Sequence, residues 1–217
     1  IRDSPSAGYA PQTGTVHAFS PPDDLRCDHG LVDGFEVSPH YDPMLAKLIT
    51  SGPDRQTALR KAIRGLERTA ILGLTTNRRF LLEVLRHPLL AAGEIRTDFL
   101  ASEAAAPLLR AEAPKSATLA AAVLCSGPAG FRSSHGIPQH RIVDIDGETV
   151  SATVSADGTV TLPDGTAHVG RLLPGEGVRR RVVLDGIVRD VYLARVGAAT
   201  WLTLGDDTVC VQPHVPR

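Results

Sequence analysis

The sequence predicts an α+β N-terminal domain, a small antiparallel sheet plus helices, followed by an all-β C-terminal domain of about eight antiparallel strands closed as a barrel around a central helix. Three observations carry this expectation. Short strand-like runs broken by Pro and Gly give way after Thr50 to apolar residues at helical spacing. A stretch of Ala, Pro and Glu between Ala104 and Pro114 reads as a linker, which places the domains at 1–105 and 114–213. Beyond Gly136 the period becomes two, and Asp146-Gly147, Asp157-Gly158, Asp164-Gly165 and Asp185-Gly186 punctuate it as hairpin turns.

The first domain opens with strand-like segments at 15–19, 25–32, 36–38 and 44–50. Ser51-Gly52-Pro53-Asp54 is a turn whose Asp54 can accept from the free amides of a following helix. Ala58, Leu59, Ala62, Ile63, Leu66 and Ala70 form the apolar face of that helix. A second helix is expected from about Asn77, with Thr76 as N-cap and Phe80, Leu81, Val84 and Leu85 as its stripe; His87-Pro88 stops it. One short helical turn follows at 97–103. In the second domain Pro114 can open a helix running to about Cys125 that is apolar on nearly every side and must therefore be surrounded. Strands are expected near 139–145, 148–155, 159–163, 166–172, 178–184, 187–195, 199–204 and 207–212. A meander of that length can close on itself and remove its edges, and the alanines of the helix would let the strands approach it.

Composition bounds the function. The 217 residues can bury about two-thirds of the unfolded chain's surface without metals or disulfides. With 23 basic against 24 acidic residues the net charge is −1, which disfavours nucleic acid and anionic membranes as partners. The longest apolar stretches, 119–125 and 44–49, are too short to span a bilayer, so a soluble protein is expected. Cys27, Cys125 and Cys210 are odd in number and far apart, which fits a reducing, cytoplasmic setting. The sequence starts at Ile1 without a methionine or a signal-like segment, and a fragment of a longer protein is expected.

No Gly-rich phosphate cradle, nucleophile elbow, His-Glu zinc helix or Cys-x-x-Cys pair occurs. Asp144-Ile145-Asp146-Gly147-Glu148 echoes a calcium loop, but its glycine comes too early and a turn is the expectation. Arg179-Arg180-Arg181 alternates across a strand and reads as a solvated edge. Ser133-Ser134-His135 lies in a loop without a third partner, and Cys27 with His29 supplies two metal ligands where three are needed. Arg26 and Asp28 project from one face of an extended segment. The carboxylate there could hold the guanidinium in a fixed pose; taken alone, the pair is a surface ion pair.

The run from Gly34 to Ile49, Gly-Phe-Glu-Val-Ser-Pro-His-Tyr-Asp-Pro-Met-Leu-Ala-Lys-Leu-Ile, closely resembles the C-terminal domain of biotin carboxylase. Asp54-Arg55 with Ala58, Gly73-Leu74-Thr75-Thr76-Asn77 with Phe80-Leu81, His87-Pro88, and Gly93 to Phe99 follow at family-like spacing, so the likeness covers about residues 1–103. Tyr9 to Gly14 and Cys27 to Leu31 look like the biotin-containing α-subunits of acyl-CoA carboxylases, the methylcrotonyl or geranyl type. In that family a barrel wrapped on a helix follows and joins the biotin carboxylase part to the carboxyltransferase. Residues 114–213 are similar to it in architecture and position.

The resemblance implies a ligase component in which ATP and Mg activate bicarbonate and a biotin ureido nitrogen is carboxylated. Arg26 stands sixteen residues before Asp42, where the family places the arginine that stabilises the biotin enolate, with Asp28 as its orienter. Phe99 stands where the family sets an apolar side chain against adenine. Biotin would be carried on a domain downstream of Arg217, and ATP and Mg bound mainly upstream of Ile1. The implied partners are the carboxyltransferase β-subunit, the biotin carboxyl carrier domain and bicarbonate, in a hetero-oligomer. A non-catalytic adaptor that keeps the fold is the alternative, and a lipocalin-like ligand cup is a third reading of the barrel.

Overall fold

The computed structural model describes residues 12–40, 44–110, 113–127 and 137–215. The chain divides into two compact units, Ile1–Ala113 and Pro114–Arg217.

The first unit contains strands β1 (Gly14–Thr15), β2 (Ala18–Ser20), β3 (Arg26–His29), β4 (Glu36–Val37), β5 (Ala46–Ile49) and β6 (Ala70–Leu72). Its helices are α1 (Arg55–Glu67), α2 (Arg78–Arg86) and α3 (Pro88–Ala92). The strands pair as three antiparallel ribbons, β1 with β4, β2 with β6 and β3 with β5. Asp54 caps α1 as its position predicts, its Oδ1 accepting from the Thr57 N–H at 2.7 Å.

Three local expectations are corrected here and one is extended. Ala70 does not extend the face of α1: the helix ends at Glu67, and Ala70–Leu72 runs as β6, buried throughout and paired with Ala18–Ser20. A three-residue apolar run satisfies either period, and the backbone of β2 is the partner that decides. Thr76 is not the N-cap of α2; Asn77 holds that position, and the Thr76 hydroxyl stands 3.4 Å from the Arg78 N–H. His87-Pro88 stops α2 and also starts α3, with Pro88 in the first turn and Gly93 closing the helix at φ 77°. The supposed linker carries a 3₁₀ turn at Ala106–Leu109 packed on α2, with Ala105 fully buried. Small alanines can pack as readily as they can link. The short turn expected at 97–103 is the 3₁₀ helix Phe99–Ala101.

The second unit holds α4 (Ser116–Ser126) and the strands β7 (Gln139–Ile145), β8 (Glu148–Val154), β9 (Thr159–Thr161), β10 (Ala167–Leu172), β11 (Arg179–Leu184), β12 (Ile187–Val196), β13 (Ala199–Leu204) and β14 (Asp207–Pro213). Each strand pairs antiparallel with the next, and β14 returns to β7 in the register Val211↔Ile145, which closes the barrel. The hairpin turns follow the Asp-Gly signal: Asp146 and Gly147 have φ 51° and 87°, and Asp185 and Gly186 have 53° and 77°. Pro114 stays outside α4, whose cap position is Lys115. The helix fills the barrel, packing against β7, β9, β10, β11, β13 and β14. Ala120, Ala121, Ala122 and Val123 are fully buried, as an all-round apolar helix requires. A Cβ at Gly170 would meet the side chains of Leu184 at 2.6 Å and Leu124 at 2.8 Å, so glycine lets β10 sit close against α4 without those leucines having to shift. With the lumen taken up by the chain's own helix, the ligand-cup reading fails.

Candidate functional site

Arg26 and Asp28 lie on β3, two residues apart and both exposed, as strand alternation demands. Their side chains form a forked pair: Arg26 Nε donates to Asp28 Oδ1 at 3.0 Å and Nη2 to Oδ2 at 2.8 Å. The intervening Cys27 turns to the other face and is half-buried, and burial pushes its thiol up. The ribbon rests on α1 through a missing side chain. A Cβ at Gly65 would come within 3.5 Å of Leu48 on β5 and overlap Leu25, the residue before β3, so glycine lets the ribbon seat on the helix.

Across the ribbon Asp28 stands opposite Lys47, and Arg26 opposite Ile49. The hydrogen bonds from Arg26 hold the Asp28 carboxyl below the ordinary carboxylate range, with smaller pulls from the charges of Lys47 and His29. Reciprocally, Asp28 raises the Arg26 guanidinium further above its usual value. The arrangement is a permanent cation clamped in a fixed plane. The fork uses two of the five guanidinium N–H groups, which leaves three for a ligand. Arg26 keeps 70% of its side-chain surface open.

Lys47 is the residue that reading the sequence did not place. Alternation along one strand shows which residues share its face, but the neighbour across the ribbon depends on the register of β3 with β5, and no turn between them sets that register.

Phe99 is brought to a different setting. It begins the 3₁₀ helix Phe99–Ala101, is 6% exposed, and meets the His87 ring edge-to-face at 5.1 Å. The remaining candidates resolve as ordinary structure or fall outside it. Arg179 pairs with Asp190 at 2.7 Å, and Arg180 Nε donates to the Gly177 carbonyl. The Asp144 to Glu148 segment is the β7–β8 turn. Among the described residues no group of three His, Cys, Asp or Glu could hold a metal, so Cys27 and His29 have no third ligand there. Ser133-Ser134-His135, and Tyr41-Asp42-Pro43 of the resemblance, lie outside the described residues.

A β-ribbon with a clamped arginine, followed by a barrel closed on its own helix, defines a class that the comparisons identify. Residues 2–102 match the biotin carboxylase C-terminal domain, and residues 96–216 match the BT domain of the methylcrotonyl-CoA carboxylase alpha-subunit. The chain belongs to this carboxylase family. Among individual relatives, the mitochondrial methylcrotonoyl-CoA carboxylase subunit alpha of Rattus norvegicus is 43% identical over 101 residues, 45% of this chain and 14% of the relative. The biotin carboxylase of Halalkalibacterium halodurans is 36% identical over 94 residues, 42% of this chain and 21% of the relative. The chain thus spans a minor part of the relatives it matches. A solved structure of pyruvate carboxylase from Rhizobium etli shares the fold at TM-score 0.51 and 23% identity, covering 57% of this chain and 12% of that one. Among the described residues no helix is long and apolar enough to cross a membrane.

Proposed function

We propose that this chain is part of the biotin-containing α-subunit of an acyl-CoA carboxylase. In this reading residues 1–105 supply one edge of the site where biotin is carboxylated at the expense of ATP and bicarbonate. Residues 114–213 join that part to the carboxyltransferase β-subunit. The observation that carries the proposal is the forked Arg26–Asp28 pair on an exposed ribbon.

Biotin, delivered on its carrier domain, supplies the ureido nitrogen that accepts the carboxyl group. That nitrogen is a poor nucleophile until its proton leaves, and charge then builds on the ureido oxygen. Arg26 places a fixed, always-protonated donor at that oxygen, with no reorganisation at the moment of reaction. Asp28 orients the guanidinium without being able to neutralise it. Phe99, its ring held edge-on by His87, is proposed as the apolar contact for adenine. The Mg of an ATP complex would be held by residues other than those described, because these gather no carboxylate cluster. The barrel's own contribution is its outer surface, since α4 occupies its interior. We place the protein in a reducing compartment, the cytoplasm, on the three unpaired cysteines, although the rat relative is a mitochondrial protein.

The test uses the intact subunit. Arg26→Ala should lower biotin carboxylation about a hundredfold, the loss of one preorganised charge partner, while bicarbonate-dependent ATP cleavage is largely kept. Arg26→Lys should rescue poorly, because an ammonium cannot take up the planar fork. Equal loss of both activities would indicate a folding role, and no loss in either would leave an adaptor with a surface ion pair.

A further inference from the structure

Three side chains of the second unit, absent from every role above, form a relay. Ser116 opens α4, His168 lies on β10, and Asp185 begins the turn from β11 to β12. Ser116 Oγ stands 2.9 Å from His168 Nε2, and His168 Nδ1 stands 2.7 Å from Asp185 Oδ2. Asp185 is itself fixed, its Oδ1 accepting from the Val169 N–H at 3.0 Å. The hydrogen bond from His168 and that from the Val169 backbone hold its carboxyl below the ordinary range, so it is an ionised acceptor at neutral pH.

The proton positions follow from this chemistry. An ionised Asp185 can only accept, so Nδ1 of His168 carries the hydrogen and donates. In the neutral imidazole Nε2 then presents its lone pair, and the Ser116 hydroxyl donates to it. That is the order of donors a serine nucleophile requires: hydroxyl, imidazole base, carboxylate orienter. His168 is largely enclosed at 13% side-chain exposure, which limits competition from water, while Ser116 is half-buried and reachable. Ser116 also begins a helix of eleven residues, so its N–H and that of Ala117 have no carbonyl one turn back; Thr118 and Leu119 already donate to the Lys115 carbonyl.

We propose that Ser116 is an activated nucleophile toward small activated acyl esters, with His168 as its general base and Asp185 as a positioning residue. Ser116 Oγ attacks the ester carbonyl carbon and its proton passes to His168 Nε2, while the carbonyl electron pair moves onto oxygen. When the pair returns, the bond to the alkoxy or aryloxy group breaks and that group leaves with the proton from Nε2. Water then gives a proton to Nε2 as its oxygen bonds the acyl carbon. The acid departs, and Ser116 Oγ recovers the proton. The inference is independent of the carboxylase reading, and neither Arg26 nor the first unit takes part.

The experiment treats the whole 217-residue chain with a fluorophosphonate ester, which traps such a serine by forming an Oγ–P bond as fluoride leaves. One adduct is expected, located on Ser116 by mass spectrometry and absent from Ser116→Ala. Hydrolysis of p-nitrophenyl acetate should fall with it. His168→Asn should slow labelling at least about a hundredfold and Asp185→Asn at least about tenfold, with Asp185→Glu recovering part of the rate. Thermal melting is followed in parallel, because the same contacts tie α4 to the barrel. A variant that melts with the wild type yet labels slowly supports the relay. No adduct at Ser116 in the folded chain, or an adduct whose rate is indifferent to His168→Asn in a variant that still melts normally, overturns it.

Discussion

The carboxylate of Asp207, on the first residue of β14, accepts the Thr118 hydroxyl at 2.7 Å and the Lys115 N–H at 2.9 Å through the same oxygen, Oδ2. Thr118 is 2% exposed and Asp207 3%. One side chain from a strand thus caps the first turn of the helix that the barrel encloses, and replaces the cap that Lys115 cannot provide. Asp207→Ala would leave a buried hydroxyl and a partly buried amide without their acceptor, so the second unit should lose about 2–4 kcal/mol of stability. Thr118→Val removes one donor only and should cost less. Denaturant unfolding of both variants checks the order, and an Asp207→Ala variant as stable as the wild type would show that the cap is dispensable.

A second prediction contrasts two glycines of the first unit. Gly73 follows β6 at φ 120°, and a Cβ there would overlap the Thr15 carbonyl oxygen, 2.0 Å away, which belongs to backbone and cannot rotate aside. Gly34 has φ 85° but open space around it. Gly34→Ala should cost about 1 kcal/mol of backbone strain alone, whereas Gly73→Ala should cost about 3 kcal/mol or more and push the Thr15 backbone away from Gly73. Equal midpoints for the two variants in urea would contradict the steric argument.

The three cysteines should separate by reactivity. Burial inside the barrel pushes the Cys125 thiol up to about 12, and burial raises Cys27 and Cys210 by less. Iodoacetamide at pH 8 should modify Cys27 and Cys210 first, while Cys125 reacts only when the barrel opens. The linkage has a sign. A thiol whose folded value lies above its unfolded value contributes stability below the unfolded value and loses it as pH rises toward the folded one. The second unit should therefore weaken between about pH 9 and 12. Measured midpoints that stay level there in the wild type, and match a Cys125→Ala variant, would remove the effect.

For Asp28 the sign is the opposite. Its carboxyl is held low, chiefly by hydrogen bonds from Arg26, so the ion pair persists at neutral pH and is lost as pH falls through the folded value. Carboxyl carbon titration by NMR should show a depressed Asp28 midpoint in the wild type. In Arg26→Ala that midpoint should move up toward about 3.9, the ordinary aspartate value. An unchanged midpoint would mean that the fork does not persist in solution.

Much of this architecture is legible in the sequence. The strands of the barrel lie within two residues of the expected segments at both ends, because a glycine turn and a period of two are local properties of the chain. The apolar run of α4 announced an enclosed helix for the same reason. The fork between Arg26 and Asp28 was legible too, since residues two apart on a strand must share a face. Where expectation failed, at Ala70 and at the packed turn of Ala106–Leu109, the local pattern was compatible with two structures and a distant partner chose between them.

The sequence by itself determined the periodicities, the turns, the clamped arginine and the family likeness, all of which depend on residues close together along the chain. Only the tertiary structure decided the register in which β14 closes on β7, the placement of Lys47 against Asp28, and the meeting of Ser116, His168 and Asp185. These join residues tens of positions apart, or across a ribbon whose register no turn sets. The physical reason is that side-chain alternation tells which face a residue occupies, whereas the partner on that face is chosen by packing the whole core, and no short stretch of sequence contains that choice.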